Sequence, residues 1–119
     1  FVVQWGLPPD PKVARAWEPA RIQDDPVKQT NARGMMTYAK SGPNTRTTQI
    51  FVNTKDSTGL DGQGFPPFAK VIDGMPVVDA LTAEYGEQPQ QGRIQAEGNE
   101  YLKNDFPNLD FVKSARVLE

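Results

Sequence analysis

The sequence contains neither cysteine nor histidine. Without cysteine there is no thiol nucleophile and no disulfide, and without histidine there is no imidazole to act as a general base. These two residue types are also the main ligands of protein-bound zinc. Hydrolases and metal enzymes that depend on such side chains are therefore poor candidates, and we predict neither a metal nor a cofactor.

The sequence also lacks a long apolar run and a strong excess of one charge. No stretch approaches the roughly 18–20 apolar residues of a membrane-spanning helix, and no signal peptide is visible. The 13 Lys and Arg residues against 15 Asp and Glu give a net charge of −2, whereas a nucleic-acid binder usually carries a basic face. We predict a soluble protein that crosses no membrane and binds no nucleic acid. Its compartment is left unknown.

Turn-forming residues are abundant. The 119 residues are enough for one domain and too few for two, and they include 11 prolines and 10 glycines. This share of proline and glycine predicts that loops occupy much of the chain and that helices and strands are short. The 37% of hydrophobic residues predicts a small core.

Runs rich in β-branched and aromatic residues predict four short strands, at residues 1–5, 35–39, 49–53 and 68–72. A fifth strand is predicted over residues 109–118, where apolar side chains fall on mostly alternate positions. Short strands in this number predict a mainly β fold, built as a sheet or a barrel.

One helix longer than a single turn is predicted from Pro76 to Gly86, because proline suits the first turn and glycine suits the position after the last. Its apolar stripe, which we expect to face the core, consists of Val77, Val78, Leu81 and Tyr85. Shorter helical segments are predicted at residues 13–17 and 97–103.

Three segments together carry a resemblance to a known family. The first is Phe-Val-Val-Gln-Trp-Gly at residues 1–6. The second is Arg-Gly-Met-Met-Thr-Tyr-Ala at 33–39, followed by Gly-Pro-Asn-Thr at 42–45 and Thr-Gln-Ile-Phe at 48–51. The third is Leu-Asp-Gly at 60–62, followed by residues 68–75 and 77–79. In order and spacing they resemble the cyclophilin family of peptidyl-prolyl cis-trans isomerases, and the segment from 42 to 51 is the most specific part.

The resemblance implies an eight-stranded antiparallel β-barrel capped by two helices, with a substrate proline held in an apolar pocket on its outer surface. The residues that it implies in catalysis are Gln4, Gln49 and Phe51. Those that it implies in substrate binding are Phe1, Ala39, the backbone of Lys40, and Leu60. Without the resemblance, its strand context would place Phe51 in the core. Leu60 could be a core residue or a loop anchor nearly as readily as a wall of the pocket.

The chemistry of prolyl isomerisation is compatible with the missing residue types. Rotation about a peptide bond must overcome roughly 18–20 kcal/mol, but it breaks no covalent bond and requires no nucleophile or metal. It requires an apolar pocket for the proline ring and polar groups that hold the flanking peptide. We therefore predict an isomerase that acts on proline-containing polypeptides during protein folding.

The sequence begins after the position of one important family residue. The family's catalytic arginine lies a few residues before the phenylalanine that matches Phe1. We therefore expect residues 1–119 to form a cyclophilin-like domain that lacks the family's first strands and first helix. A longer polypeptide or a protein partner would complete the barrel. The alternative function is a catalytically weak or inactive proline-binding module that serves as a scaffold in a larger assembly.

Two departures from the family pattern lie at the rim of the implied pocket. Gly59 stands where many members have tryptophan, and the Gly64–Phe65 region replaces a common histidine. A cyclosporin-like ligand is a further expectation from the resemblance, but these two changes disfavour tight binding.

Overall fold

Four short strands form one antiparallel sheet in the computed structural model, which describes residues 1–118. They are β1 (Val2–Trp5), β2 (Met35–Tyr38), β3 (Ile50–Asn53) and β4 (Pro67–Lys70). Their order in the sheet is β1-β3-β2-β4. The four corresponding strand predictions are confirmed, with β4 starting one residue earlier and ending two residues earlier than predicted. Within the described residues this sheet is open, with β1 and β4 at its edges.

The strand register places the central phenylalanine beside the first glutamine. Gln4 of β1 and Thr37 of β2 both lie directly opposite Phe51 of β3. Because directly opposed residues project from the same face of a sheet, these three side chains share one face. Val52, whose exposed fraction is only 1%, lies on the other face. The central strand β3 is therefore packed on both sides.

In the described part of the chain, five short helices accompany the sheet: α1 (Pro11–Trp17), α2 (Gly59–Gly62), α3 (Met75–Asp79), α4 (Gln91–Glu97) and α5 (Asn99–Asp105). The first has clear start signals, because Asp10 accepts a hydrogen bond from the Lys12 amide at 2.8 Å and proline follows at the first helical position. The predicted segment at 13–17 is confirmed as part of α1. The predicted segment at 97–103 is confirmed as α5, displaced by two residues.

The prediction of a helix from Pro76 to Gly86 is wrong in its second half. Helix α3 ends at Asp79, and Val77 is 68% exposed, so the expected core-facing stripe is not formed. Later residues are held by the C-terminal segment instead. The Thr82 amide donates to Asp110 Oδ2 at 2.7 Å, and the Tyr85 ring packs edge-on against Phe106 at 4.9 Å between centroids. These contacts turn the chain away from the helical path.

The predicted strand at 109–118 is also wrong. The described residues of this segment have no strand hydrogen bonding, and Val117 is 90% exposed. Alternating apolar residues form a strand only when a neighbouring strand accepts their backbone hydrogen bonds. No strand described for residues 1–118 pairs with this segment.

Candidate functional site

A pair of hydrogen-bonded glutamines lies where β1 meets the start of β3. Gln4 Nε2 donates to Gln49 Oε1 at 2.9 Å. Gly6 makes this approach possible, because a Cβ atom there would overlap the Thr48 carbonyl oxygen and lie 2.9 Å from Gln49 Cα. Gly6 also has a φ of +118°, which residues with side chains rarely adopt. The glycine therefore brings the end of β1 against the segment that carries Gln49.

A cavity of about 300 Å³ opens beside this glutamine pair. Its lining includes four of the seven residues implied by the resemblance: Gln4, Ala39, Lys40 and Gln49. The Ala39 amide donates to the Gln49 carbonyl at 3.0 Å, so the backbone after β2 is fixed against the backbone before β3. These four members of the predicted site are thus brought together around one cavity.

The other three members of the predicted site, all large apolar residues, lie outside this cavity. Phe51 is only 4% exposed, and the ring of Phe65 packs edge-on against it at 6.1 Å between centroids. Lys40 Nζ lies 5.5 Å from the centroid of the Phe65 ring. Leu60 is half-buried in α2. Phe1 is 63% exposed, although its carbonyl accepts a hydrogen bond from the Thr54 amide at 2.9 Å.

The long loop before β2, residues 18–34, contributes Glu18 and Arg21 to the lining of the cavity. Arg46, which is buried, holds this loop by donating to the Gln23 carbonyl and by an ion pair with Asp25 at 3.0 Å. The Asp24 amide donates to Asn44 Oδ1 at 2.8 Å. These contacts join the loop to the Gly-Pro-Asn-Thr segment, so a stretch without regular secondary structure acquires a fixed place.

A buried polar network, which the sequence does not predict, connects residues around Phe51. Asn31 is fully buried, and both its backbone amide and its Nδ2 donate to Asp61 Oδ1, at 2.9 and 2.7 Å. Nδ2 also donates to the Phe65 carbonyl at 2.9 Å, and Asn31 Oδ1 accepts from the buried Thr37 hydroxyl at 2.7 Å. The network thereby links α2, Phe65 and the strand residue opposite Phe51. Asn31 lies in a polar stretch without periodicity, so no pattern in the sequence marks it.

Acidification should weaken the fold through Asp61. Hydrogen bonds from Thr30 and Asn31 hold the pKa of the Asp61 carboxyl below its usual value of 3.8, because they stabilise the charged form. Such a group contributes stability that is fully present above the unfolded-state pKa and is lost as the pH falls through the folded-state pKa. We therefore expect the free energy of unfolding to decrease on acidification below pH 3.8, and to decrease less in Asp61→Asn.

Urea denaturation at several pH values measures this dependence. Asp73→Asn is the matched control, because Asp73 is exposed and makes no side-chain hydrogen bond within the described part of the chain. It should keep the wild-type slope of stability against pH. An Asp61→Asn slope equal to that of the wild type would show that the network does not depend on the carboxylate.

The structure bears on two further features, a metal site and a membrane-spanning helix. Residues 1–118 contain no group of three or more acidic side chains that could hold a metal ion. In the same residues, no helix has the length and the apolar character that crossing a membrane requires.

Comparison with known proteins identifies the family. Residues 1–99 match the family model described as cyclophilin type peptidyl-prolyl cis-trans isomerase/CLD. The chain therefore belongs to the cyclophilin-type family, as the sequence motifs predict. It has the mainly β, cyclophilin-like fold of that family, with four strands and five short helices among residues 1–118.

Individual relatives agree with this assignment. Peptidyl-prolyl cis-trans isomerase B of Escherichia coli K12 is 32% identical over an alignment 98 residues long, which covers 75% of this chain and 53% of that protein. A peptidyl-prolyl cis-trans isomerase of Acinetobacter baylyi is 38% identical over an alignment 65 residues long, which covers 47% of this chain and 35% of the relative. One from Arabidopsis thaliana is 43% identical over 51 residues, 43% of this chain and 31% of the relative. The chain thus spans about half or less of the relatives it matches.

Proposed function

We propose that the native polypeptide catalyses cis-trans isomerisation of X–Pro bonds in protein substrates. Membership of the cyclophilin-type family supports this proposal. The observation that carries it is the hydrogen bond between Gln4 and Gln49 beside a cavity of about 300 Å³. The substrates are proline-containing polypeptides. A cyclosporin-like ligand and the segment or partner that completes the barrel stay predictions, and no compartment is predicted.

The glutamine pair suits an extended peptide because an amide side chain offers both a donor and an acceptor. In the described part of the chain, Gln4 Oε1 accepts no hydrogen bond, so it can receive a substrate N–H. Gln49 is held in place by Gln4, and this lowers the cost of ordering its side chain when the peptide binds. The backbone of Lys40 and the neighbouring Ala39 would flank the same peptide.

Apolar surface for the proline ring would come from Phe51, with Leu60 and Phe1 at its margins. The ring of Phe65 covers Phe51, so we propose that Phe65 moves aside when a substrate binds. A proline ring that replaces Phe65 would lie in an apolar setting with little water, where the charge separation of a planar amide is less favoured. Twisting of the X–Pro bond would then be assisted on one side by apolar contact and on the other by the glutamines.

Replacing Gln49 with leucine should lower kcat/KM by about tenfold to a hundredfold, because preorganised polar contacts to a reacting group are worth this much or more. Two-dimensional exchange NMR on a proline-containing peptide measures the interconversion of its cis and trans peaks. Without a catalyst this takes tens to hundreds of seconds. Gln88→Leu is the control, because Gln88 is an exposed loop glutamine that does not line the cavity.

The assay separates the two functional hypotheses. Faster exchange with the native polypeptide, lost in Gln49→Leu and kept in Gln88→Leu, would support the isomerase. Saturable binding of the peptide without faster exchange would support the proline-binding scaffold instead. Wild-type rates in Gln49→Leu would remove the glutamine pair from the mechanism.

A further inference from the structure

A third glutamine contacts the proposed catalytic pair from the opposite side. Gln49 Nε2 donates to Gln91 Oε1 at 3.1 Å, while Gln49 Oε1 accepts from Gln4 at 2.9 Å. Both ends of the Gln49 amide are therefore occupied, and three side-chain amides form a row. We infer that Gln91 is a positioning residue of the isomerase site, which sets the orientation of the Gln49 amide and, through it, that of Gln4. The inference rests on the proposed function.

The helix that carries Gln91 is well anchored. The Gln90 amide donates to the Tyr101 hydroxyl at 3.1 Å, and Ile94 in α4 is buried. The Asn99 amide at the start of α5 donates to the Pro9 carbonyl at 3.0 Å. Gly98 lies so close to Pro9 that a Cβ atom would overlap this carbonyl oxygen. Because α4 is held at both ends, Gln91 presents its side chain to Gln49 from a fixed position.

The direction in which the hydrogen bonds of this row run determines whether Gln4 presents its oxygen or its nitrogen to a peptide. An amide donates at its nitrogen and accepts at its oxygen. In the observed direction, Gln4 donates to Gln49, Gln49 donates to Gln91, and Gln4 Oε1 is left for a substrate N–H. If all three amides were reversed, the Gln4 oxygen would be engaged by Gln49 and the Gln4 nitrogen would face the substrate. A glutamine at position 91 permits both directions, so its replacement can select between them.

Three substitutions at this position test the inference. Gln91→Glu places an acceptor there and enforces the observed direction. Gln91→Lys places a donor there and enforces the reverse direction. Gln91→Leu removes the hydrogen bond. Because one neutral hydrogen bond changes an equilibrium by about threefold to tenfold, we expect kcat/KM to fall by this factor in Gln91→Leu, at least as much in Gln91→Lys, and less than about twofold in Gln91→Glu.

A spectroscopic readout accompanies the rates. The side-chain NH₂ signals of Gln4 and Gln49 in a ¹H–¹⁵N spectrum report on their hydrogen bonding without any substrate. We expect both sets to shift in Gln91→Lys and Gln91→Leu, and the Gln4 signals to stay near wild type in Gln91→Glu. The control is the neighbouring residue, as Gln90→Leu and Gln90→Lys, because the Gln90 side chain is exposed and makes no capping hydrogen bond.

The outcomes distinguish this inference from the proposed function. A native polypeptide that does not accelerate exchange would overturn the proposed isomerase, while the NH₂ signals would still show whether Gln91 orients the pair. An active protein whose NH₂ signals and kcat/KM are unchanged in Gln91→Leu and Gln91→Lys would overturn the positioning role alone. Equal loss in the glutamate and lysine variants would contradict the role of direction. Far-UV circular dichroism establishes that each variant is folded.

Discussion

Replacing Gly6 with alanine should destabilise the fold and separate Gln4 from Gln49. The φ of +118° is strained for alanine, and the new Cβ would overlap the Thr48 carbonyl oxygen. A strained backbone conformation and a forced close contact each cost about 1–3 kcal/mol, so we expect a loss of about 2–6 kcal/mol in the free energy of unfolding. Urea denaturation measures the loss, and the proposed isomerase activity should fall with it because Gln4 is displaced.

Gly42 provides the matched control for this substitution. It also has a positive φ, +133°, but a Cβ there would meet no atom within 4 Å. Gly42→Ala should therefore show only the cost of the backbone conformation, and it should be clearly milder than Gly6→Ala. Equal losses in the two variants would mean that the close approach of β1 to Thr48 contributes nothing to stability.

Replacing Asn31 with alanine should have an effect of similar size for a different reason. The substitution removes the partner of the Thr37 hydroxyl and one partner of the Asn53 amide nitrogen, and both of these residues are fully buried. Because each buried polar group that loses its partner costs about 1–3 kcal/mol, we expect the free energy of unfolding to drop by roughly 3–5 kcal/mol. Thermal and urea denaturation measure this loss.

Two further variants test whether the stability loss in Asn31→Ala is specific to the buried network. Asn104→Ala removes an exposed asparagine of α5 and should change stability by less than about 0.5 kcal/mol. Thr37→Val keeps the shape of the strand residue but removes its hydroxyl, so it should cost less than Asn31→Ala. A stability of Asn31→Ala within about 1 kcal/mol of wild type would mean that water replaces the asparagine and that the network is dispensable.

Local sequence patterns predict the strands well because the strands form where β-branched and aromatic residues are concentrated. The β-branched and aromatic residues of β1, β2 and β3 are packed by their neighbours in the sheet, and local preference and tertiary packing agree. The same reasoning fails for residues 80–86 and 109–118. There the outcome depends on contacts such as Thr82 with Asp110, which join two distant segments and leave no local periodic signal.

The residues of the candidate site differ in the same way: short motifs indicate some of them, and only long-range contacts reveal the others. Gln4, Gln49, Ala39 and Lys40 are found through short motifs, and the structure gathers them around one cavity. Their functional roles are inferred from the resemblance to the family, because an isolated glutamine at a strand end is usually only a solvated side chain. Asn31 and Gln91 belong to no motif. Gln91 forms a hydrogen bond to a residue 42 positions away, and Asn31 forms one to a residue 22 positions away. A single sequence does not reveal such contacts.

The spacing of the glutamine row along the chain has a consequence for how the protein folds. Gln4 and Gln49 are separated by 45 positions, and Gln49 and Gln91 by 42. Each contact closes a long loop, whose entropy must be lost before the contact contributes any free energy. During folding, the paired strands β2 and β3, which are close in sequence and are joined through the Gly-Pro-Asn-Thr segment, can form early, but the row is complete only after both β1 and α4 have docked. The protein would therefore become able to bind a substrate only at the end of folding, and partly folded chains would lack the assembled site.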